Sequence, residues 1–505
     1  MLLKKLIEEL TQRGRAPELA GRPLSQSDAL RRVAEETVLE TEAATRDVLG
    51  MGLSDSEVDR GCYCAFFGRR GARRPRRATF LAGGRGGRSI LAGALDVWSR
   101  LDVIVNAYDD GLSTGRLREC FGILGPSDIR KNHATLLRAE RSQELSLASL
   151  LDWRMQSRNE FDRILSQLRD PGGPPQEESE LDKEIRDLTP TARHWLNTYL
   201  GRFKASCESE GLRALDFRDM SLGNCVYVGA YLLLSRDFTF AVRAVERLLL
   251  ELRSSVHLCS EEVLWLCAVD GSGRLIPSEA DLVETKHRHG VSSIFLLPQP
   301  PDRMLPRAVR SWDSVHPGLS RCLEEWALRP AIAPDALSAV MEADQLVYCP
   351  GTFHSSLAPT LLTEGLGAAI DASRASRVYV VNLDNDNESV GFEPADYVRR
   401  AHDLLRRDVC RPDAHFFDYV LCDAGSPAGD LHALARELEF EVIRRPLRAS
   451  DGRSHDGEVT RRFLRQIDEL RHAHLVLRDG VLRRTEEGFR LTGPSGAESS
   501  TVDLP

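Results

Sequence analysis

No apolar run in this 505-residue chain approaches the ~20 residues that crossing a bilayer requires, so a membrane span is not expected. The opening residues, MLLKKLIEELTQRGR, lack an uninterrupted apolar stretch, and a signal peptide is not expected either. Positive charge is not in excess. Lys and Arg number 67 against 76 Asp and Glu, and the net charge of −9 argues against a nucleic-acid-coating surface. GxxxxGKS/T and HExxH are missing, which leaves P-loop and zincin mechanisms without their signatures. The eleven cysteines are scattered, and only Cys62 and Cys64 stand close, with no second pair at zinc-like spacing. The expectation is a cytoplasmic protein with reduced thiols and without zinc, haem or a flavin prosthetic group.

What is present is ordinary for a globular protein: 42% hydrophobic and 28% charged residues, and length enough for more than one domain. The most informative stretch runs from Thr79 to Asn132. It reads as a buried strand (79–82), a glycine-rich loop (Gly83, Gly84, Gly86, Gly87), a helix from Ser89, and a second strand (103–107) that ends in Asp109 and Asp110. A strand that empties into glycines and then a helix gathers backbone N–H groups and a positive helix end, which suits a phosphate. A parallel neighbour would bring its carboxylates to the same edge. The plain alternative for the glycines is a tight strand-to-helix turn. A dinucleotide fingerprint also fits the spacing from Gly83 to Asp109, although Ser89 stands where its third glycine belongs.

Asp109 and Asp110 have two functional readings, Mg²⁺ binding or hydrogen bonding to sugar hydroxyls, and one structural reading, an Asx turn at a strand end. Consecutive residues of an extended strand point to opposite sides, so only one of the two would face a ligand unless the chain turns. Ser113 and Arg116 would complete an anion site. Asp128 and Arg130 are either ligand contacts or a structural pair, and Asn224 either caps a helix or orients a ligand.

Elsewhere, residues 2–14 and 26–50 have helical apolar spacing, and Arg69–Arg77 is a basic linker; together 1–77 is an N-terminal helical extension. A charged helical insertion occupies about 140–205, broken by DPGGPP at 170–175. Helices are expected from Leu222 and Asp237, a hairpin about the turn Asp270–Gly273, and strands at 263–268, 294–297, 345–348 and 377–382. Between the last two lies the loop Pro350–Ser356, whose backbone N–H groups and hydroxyls suit a second phosphate or a base; Gly351, Thr352 and Ser355 are its candidates, with Asn382 ending the next strand. His287-Arg-His289 is expected in a surface loop. Residues 404–490 continue the α/β pattern, and 491–505 have a disordered composition. Strands separated by helices and ending in polar loops predict an α/β fold: a three-layer Rossmann-like sandwich with a mainly parallel sheet.

The order of these motifs over residues 78–403 resembles the 2-phospho-L-lactate transferase (CofD) superfamily, and within it the gluconeogenesis-factor (YvcK-like) branch. The residues that carry the resemblance are Gly83–Ser89 (GGRGGRS), Asp109–Arg118 (DDGLSTGRLR), Ser127–Lys131 (SDIRK), Ser221–Asn224 (SLGN), Cys349–Ser356 (CPGTFHSS), Asn382 and Asn387–Ser389 (NES). Departures include Arg85 and Arg88 in the opening loop, Leu112 and Cys349 for glycines, His354 for a tyrosine, and Lys131 where the family has Asn. The branch implies a nucleotide-sugar-binding regulator of carbon or cell-envelope metabolism; the wider superfamily implies a Mg²⁺-dependent transferase acting on a nucleotide diphosphate donor and an acceptor alcohol. In the second case Asp109 or Asp110 would hold the metal. Homodimerisation is a family-level expectation only, and the departures in both loops also allow a protein whose site has decayed.

Overall fold

The computed structural model describes residues 76–83, 86–140, 145–170, 179–209, 212–249, 253–305, 315, 318–427, 429–476, 482–485 and 488–491. The expected N-terminal helices, most of the basic linker, Cys62, Cys64 and the tail after residue 491 lie outside these residues. The chain divides into two units, Pro75–Arg461 and Met1–Arg74 with Arg462–Pro505. In chain order the first unit contains β1 (Arg77–Leu81), β2 (Arg100–Val105), β3 (Arg154–Met155), β4 (Met220–Ser221), β5 (Ser254–Leu258) and β6 (Trp265–Asp270). It continues with β7 (Leu275–Ile276), β8 (Val291–Leu297), β9 (Gln345–Tyr348), β10 (Ser376–Val380), β11 (Tyr419–Asp423) and β12 (Glu441–Arg445). In the second unit the described residues form the end of the helix Gly457–Val476 and an antiparallel pair, β13 (Leu482–Thr485) and β14 (Gly488–Leu491).

Seven strands make a wholly parallel sheet in the order β12-β11-β10-β9-β1-β2-β5, so the fold is the expected α/β sandwich. Burial explains the sequence pattern. The central strands β9 and β10 are buried at every residue and β1 at all but its first, which is why they read as continuous apolar runs. The edge strand β5 alternates buried and half-buried residues, SSVHL, as a strand with one wet face does. Phe80 packs edge-to-face on Trp98, 5.3 Å between ring centres, and Tyr348, Tyr379 and Phe417 form a second aromatic knot at 5.1–5.7 Å.

Register places the site. Leu81 pairs with Ile104 on one side and Tyr348 on the other, and Tyr348 pairs with Tyr379. The loops after β1, β2, β9 and β10 therefore leave from one level of one edge. From β1 the chain goes outward to β2 in one direction and from β9 outward to β12 in the other. Ligands of open α/β sheets lodge in the crevice at such a reversal.

Some boundaries differ from expectation, for local reasons. The second strand stops at Val105 because the Asn106 side chain accepts from Tyr108 N–H (3.0 Å) and turns the chain. The helix after the glycine loop begins at Arg88 and ends at Leu91, with Ala92 as its cap and Gly93 next. One turn carries little of a helix dipole, so that part of the phosphate argument weakens. The Asp270 turn does form a hairpin: Asp270 Oδ1 accepts from Ser272 N–H and Arg274 N–H, and β6 pairs antiparallel with β7 and β8. β11 and β12, beyond residue 403, belong to the main sheet. The charged insertion is helical, with Arg158–Arg169 capped by Ser157 and Glu180–Arg186 opened by a Ser179–Asp182 capping box. Among the described residues no single helix is long and apolar enough to cross a membrane.

Candidate functional site

Beyond β2 the two acidic residues part company. Asp110 turns inward, where its Oδ1 accepts from the N–H groups of Glu279 (3.0 Å) and Ala280 (3.3 Å) at the start of the helix Glu279–Glu284. Burial pushes its carboxyl up to about 6, against the pull of Arg118 and with the help of Asp109. Asp109 makes the Asx turn, Oδ1 accepting from Gly111 N–H at 3.0 Å, while its Oδ2 lies 3.5 Å from Lys131 Nζ in a cleft of about 190 Å³. Lys131 Nζ also donates to Asp128 Oδ1 at 2.9 Å.

Glu279 joins this cluster from the other wall. A Cβ on Gly111 would lie 3.3 Å from Asp109 Oδ1 and 3.5 Å from Glu279 Oε2, so the two carboxyl groups flank that glycine. Burial first, and then the charges of Asp109, Asp110 and Asp128, hold the Glu279 carboxyl well above its ordinary value. Ser113, Thr114, Ser127 and Arg154 complete the cleft, and Arg154 donates to Ser113 Oγ at 3.2 Å.

Two arginines of the recognised motifs lie beneath the cleft. Arg118 is 1% exposed and stacks 4.2 Å over the Trp265 ring. Its guanidinium donates to the carbonyls of Tyr108 (3.2 Å), Asp109 (3.4 Å), Ile123 (3.3 Å) and Leu264, which pins the acidic loop from below. Arg130, also buried, bonds Asp152, the Leu151 carbonyl and Asn224 Oδ1. Asn224 in turn donates to Thr114 Oγ1 (3.3 Å) and Ser127 Oγ (3.2 Å). Arg130 and Asn224 are thus satisfied within the protein and set the two hydroxyls that line the cleft. Arg116 points elsewhere, to the Asp216 carboxylate and the carbonyls of Asp216 and Arg218.

The second cluster is the meeting of the glycine loop with Pro350–Ser356. A Cβ on Gly83 would fall 2.2 Å from Ser356 Cβ, and one on Gly86 2.3 Å from the Pro350 carbonyl oxygen. Gly87 lies against Cys349. These glycines are accounted for by the close approach of two loops. Gly84 and Arg85 lie outside the described residues, and Arg88 and Ser89 stand half-buried on the short helix.

The N–H groups expected to meet phosphate in the second loop have partners of their own. Gly351 N–H donates to Asn382 Oδ1 (2.9 Å), and Asn382 Nδ2 returns a bond to the Gly351 carbonyl (2.7 Å). His354 and Ser355 N–H both donate to Glu388 Oε2 at 2.9 Å, and Thr352 Oγ1 pairs with Ser356 Oγ at 2.8 Å. Asn106 Nδ2 ties the Ser355 carbonyl to the end of β2 (2.9 Å). Glu388 is wholly buried, its Oε1 has no hydrogen-bond partner, and burial above all raises its carboxyl to about 8. His287 is buried too, contrary to the surface loop expected of it, because its Nε2 meets the Leu282 carbonyl at the end of a helix (3.0 Å).

The structure therefore gathers Asp109, Asp128 and Ser113 about the cleft and puts Gly83, Gly86, Gly87, Gly351, Thr352, Ser355 and Asn382 in the neighbouring loop contact. Sequence reasoning passed over Glu279 and Arg154, and it named Glu388 only as part of the Asn387–Ser389 element of the resemblance. For Lys131 the signal was present as the departure from Asn. Magnesium asks for near-octahedral oxygens at roughly 2.0–2.1 Å, and the residues here do not fit it. Asp110 is committed to a helix start, an ammonium stands between Asp109 and Asp128, and the described residues hold no group of three or more His, Cys, Asp or Glu suited to a metal.

Residues 78–447 match the family model of the 2-phospho-L-lactate transferase CofD. Relatives include putative gluconeogenesis factors of Nostoc sp., 25% identical over 349 residues (69% of this chain, 55% of that one), and of Thermotoga maritima, 22% identical over 353 residues (70% and 80%). The gluconeogenesis factor of Bacillus subtilis is 22% identical over 327 residues (65% and 74%). The chain thus spans little more than half the length of the Nostoc relative. A crystal structure of a UPF0052-family protein from Bacillus halodurans superposes with a TM-score of 0.51 at 18% identity, covering 78% of this chain and all of that one, a likeness of fold.

Proposed function

Since the chain belongs to the 2-phospho-L-lactate transferase CofD family, we propose that it binds a phosphate-containing nucleotide or nucleotide-sugar of the UDP-sugar kind in the Asp109 cleft. In this reading it is a cytoplasmic regulator of carbon or cell-envelope metabolism that holds its ligand without turning it over. The observation that carries the reading is the pairing of two cations, Lys131 and Arg154, with the hydroxyls of Ser113, Thr114 and Ser127 at the reversal of a parallel sheet. The cations would meet phosphate oxygens, the hydroxyls would take further acceptors, and Asp109 would receive sugar hydroxyls. The gluconeogenesis-factor names of the relatives support the regulatory role.

One observation favours a second reading, transfer of a phosphorylated group from a nucleotide diphosphate donor to an acceptor alcohol. Burial and the neighbouring acids raise the Glu279 carboxyl well above its ordinary value in the same cleft, and an acid raised in this way can donate a proton in such a transfer.

³¹P NMR of the full chain with UDP-sugars and guanine nucleotides separates the readings. Shifted diphosphate signals with no new resonance after hours support the regulator, and a new phosphodiester or nucleoside monophosphate signal with a candidate acceptor supports the transferase. Asp109→Asn is expected to weaken binding while leaving the circular dichroism spectrum and melting temperature near those of the wild type. Unchanged affinity in that variant would move the site elsewhere.

A further inference from the structure

We propose that Lys131 is a built-in cation that takes the seat a divalent metal would need, so that the cleft receives a diphosphate without magnesium. The geometry behind this is specific. Lys131 and Asp128 stand three residues apart at the start of the helix Ser127–Glu140, a spacing that puts them on one face. That face looks at the end of β2, where the Asx turn fixes Asp109, and Nζ comes to lie 2.9 Å from Asp128 Oδ1 and 3.5 Å from Asp109 Oδ2. A divalent ion shared by those two oxygens would have to share its space with the ammonium and would be repelled by it.

The ammonium is also held as a charge. Burial works against it, and Asp128 and Asp109 more than offset that, so its pKa lies above the ordinary lysine value. The side chain is 18% exposed, toward the cleft. A compact ammonium with three donors can serve both carboxylates and still present a donor to an anion. Asp110, the other acidic candidate, cannot restore a metal site from where it lies, because its Oδ1 already serves two backbone N–H groups of the opposite wall.

This inference rests on the Asp109 cleft being the ligand site only for its diphosphate half, so the test begins without any nucleotide. Mn²⁺ is titrated into the full-length unliganded protein and followed by electron paramagnetic resonance. The wild type is expected to show no stoichiometric uptake. Lys131→Asn supplies an oxygen in place of the ammonium, and it is expected to gain one Mn²⁺ site at least tenfold tighter than any in the wild type; adding Asp128→Asn should abolish it. Lys131→Met keeps the stem without the charge and stands in should the asparagine variant fold poorly, which circular dichroism reports. Uptake by the wild type that Asp109→Asn or Asp128→Asn removes would overturn the proposal, as would folded Lys131 variants that remain as inert to Mn²⁺ as the wild type.

The second arm measures UDP-sugar affinity by calorimetry. The wild-type Kd should change less than twofold between EDTA and excess Mg²⁺, whereas Lys131→Asn should lose tenfold or more in EDTA and recover part of it with Mg²⁺. Wild-type affinity that falls tenfold in EDTA counts against the built-in cation. Absence of any UDP-sugar binding counts against the ligand assignment instead, and the Mn²⁺ result then decides the cation question alone.

Discussion

Glu388 offers the most direct test of the loop architecture, because one carboxyl connects pH to stability. Its Oε2 accepts from His354 and Ser355 N–H at 2.9 Å each, and its Oε1 has no hydrogen-bond partner. Burial raises its pKa from an ordinary 4.5 to about 8, with the charge of Asp386 adding and the bonds from Ser355 and His354 opposing. An acid whose folded pKa is raised holds its proton in the native state while the unfolded chain has released it. Its contribution is fully present below about 4.5 and is lost as pH climbs through about 8. At about 1.36 kcal/mol per pH unit between those two values, the loss is on the order of 5 kcal/mol at most, a large part of a domain's stability. Glu388→Gln mimics the protonated acid: its amide oxygen can accept both N–H bonds at every pH. Urea denaturation of both proteins at pH 5, 7 and 9 isolates the effect, because every other titrating group is common to the pair. His354, which burial pushes down to about 3, stays neutral throughout that window. The wild type should match or exceed the variant at pH 5 and fall below it by ~2 kcal/mol or more at pH 9. A difference between the two that stays constant from pH 5 to 9 would refute the reasoning.

Gly83→Ala would put a methyl group 2.2 Å from Ser356 Cβ and against the Ser356 backbone, so the two loops must part; a loss of ~1–3 kcal/mol in chemical denaturation is expected, and less than about 0.5 would contradict the close approach. Arg118→Ala leaves four buried carbonyls without their donor and removes the stack on Trp265; the expected cost is ~3 kcal/mol or more, read as a fall in thermal midpoint that nucleotide does not restore. Asn382→Asp keeps an acceptor for Gly351 N–H but sets an oxygen against the Gly351 carbonyl, at a cost of ~1–3 kcal/mol. Faster hydrogen exchange at Gly351 would mark that loosening, and unchanged exchange would show that the loop is held by other bonds.

Much of the architecture was readable because the central strands are buried on both sides and so stand out as short apolar runs closed by polar loops. The run Gln345–Tyr348 was found to the residue for that reason. Where prediction slipped, a side chain had competed with the backbone, as Asn106 does in ending β2. The site was harder for a different reason. A motif marks residues by type and place, and it does not say whether they touch a ligand or support the residues that do. Asp109 and Asp110 are neighbours of one type, and what separates them is a helix start 169 residues away that claims the second. Arg130 has the charge that suits a phosphate, yet its donors go to Asp152, Leu151 and Asn224. Glu279 had no local signal at all, since only the packing of the β6–β8 hairpin layer carries it to the cleft. Lys131 is the instructive exception. The resemblance implies Asn at this place, and an ammonium there instead of a neutral amide is what the geometry sets between two carboxylates.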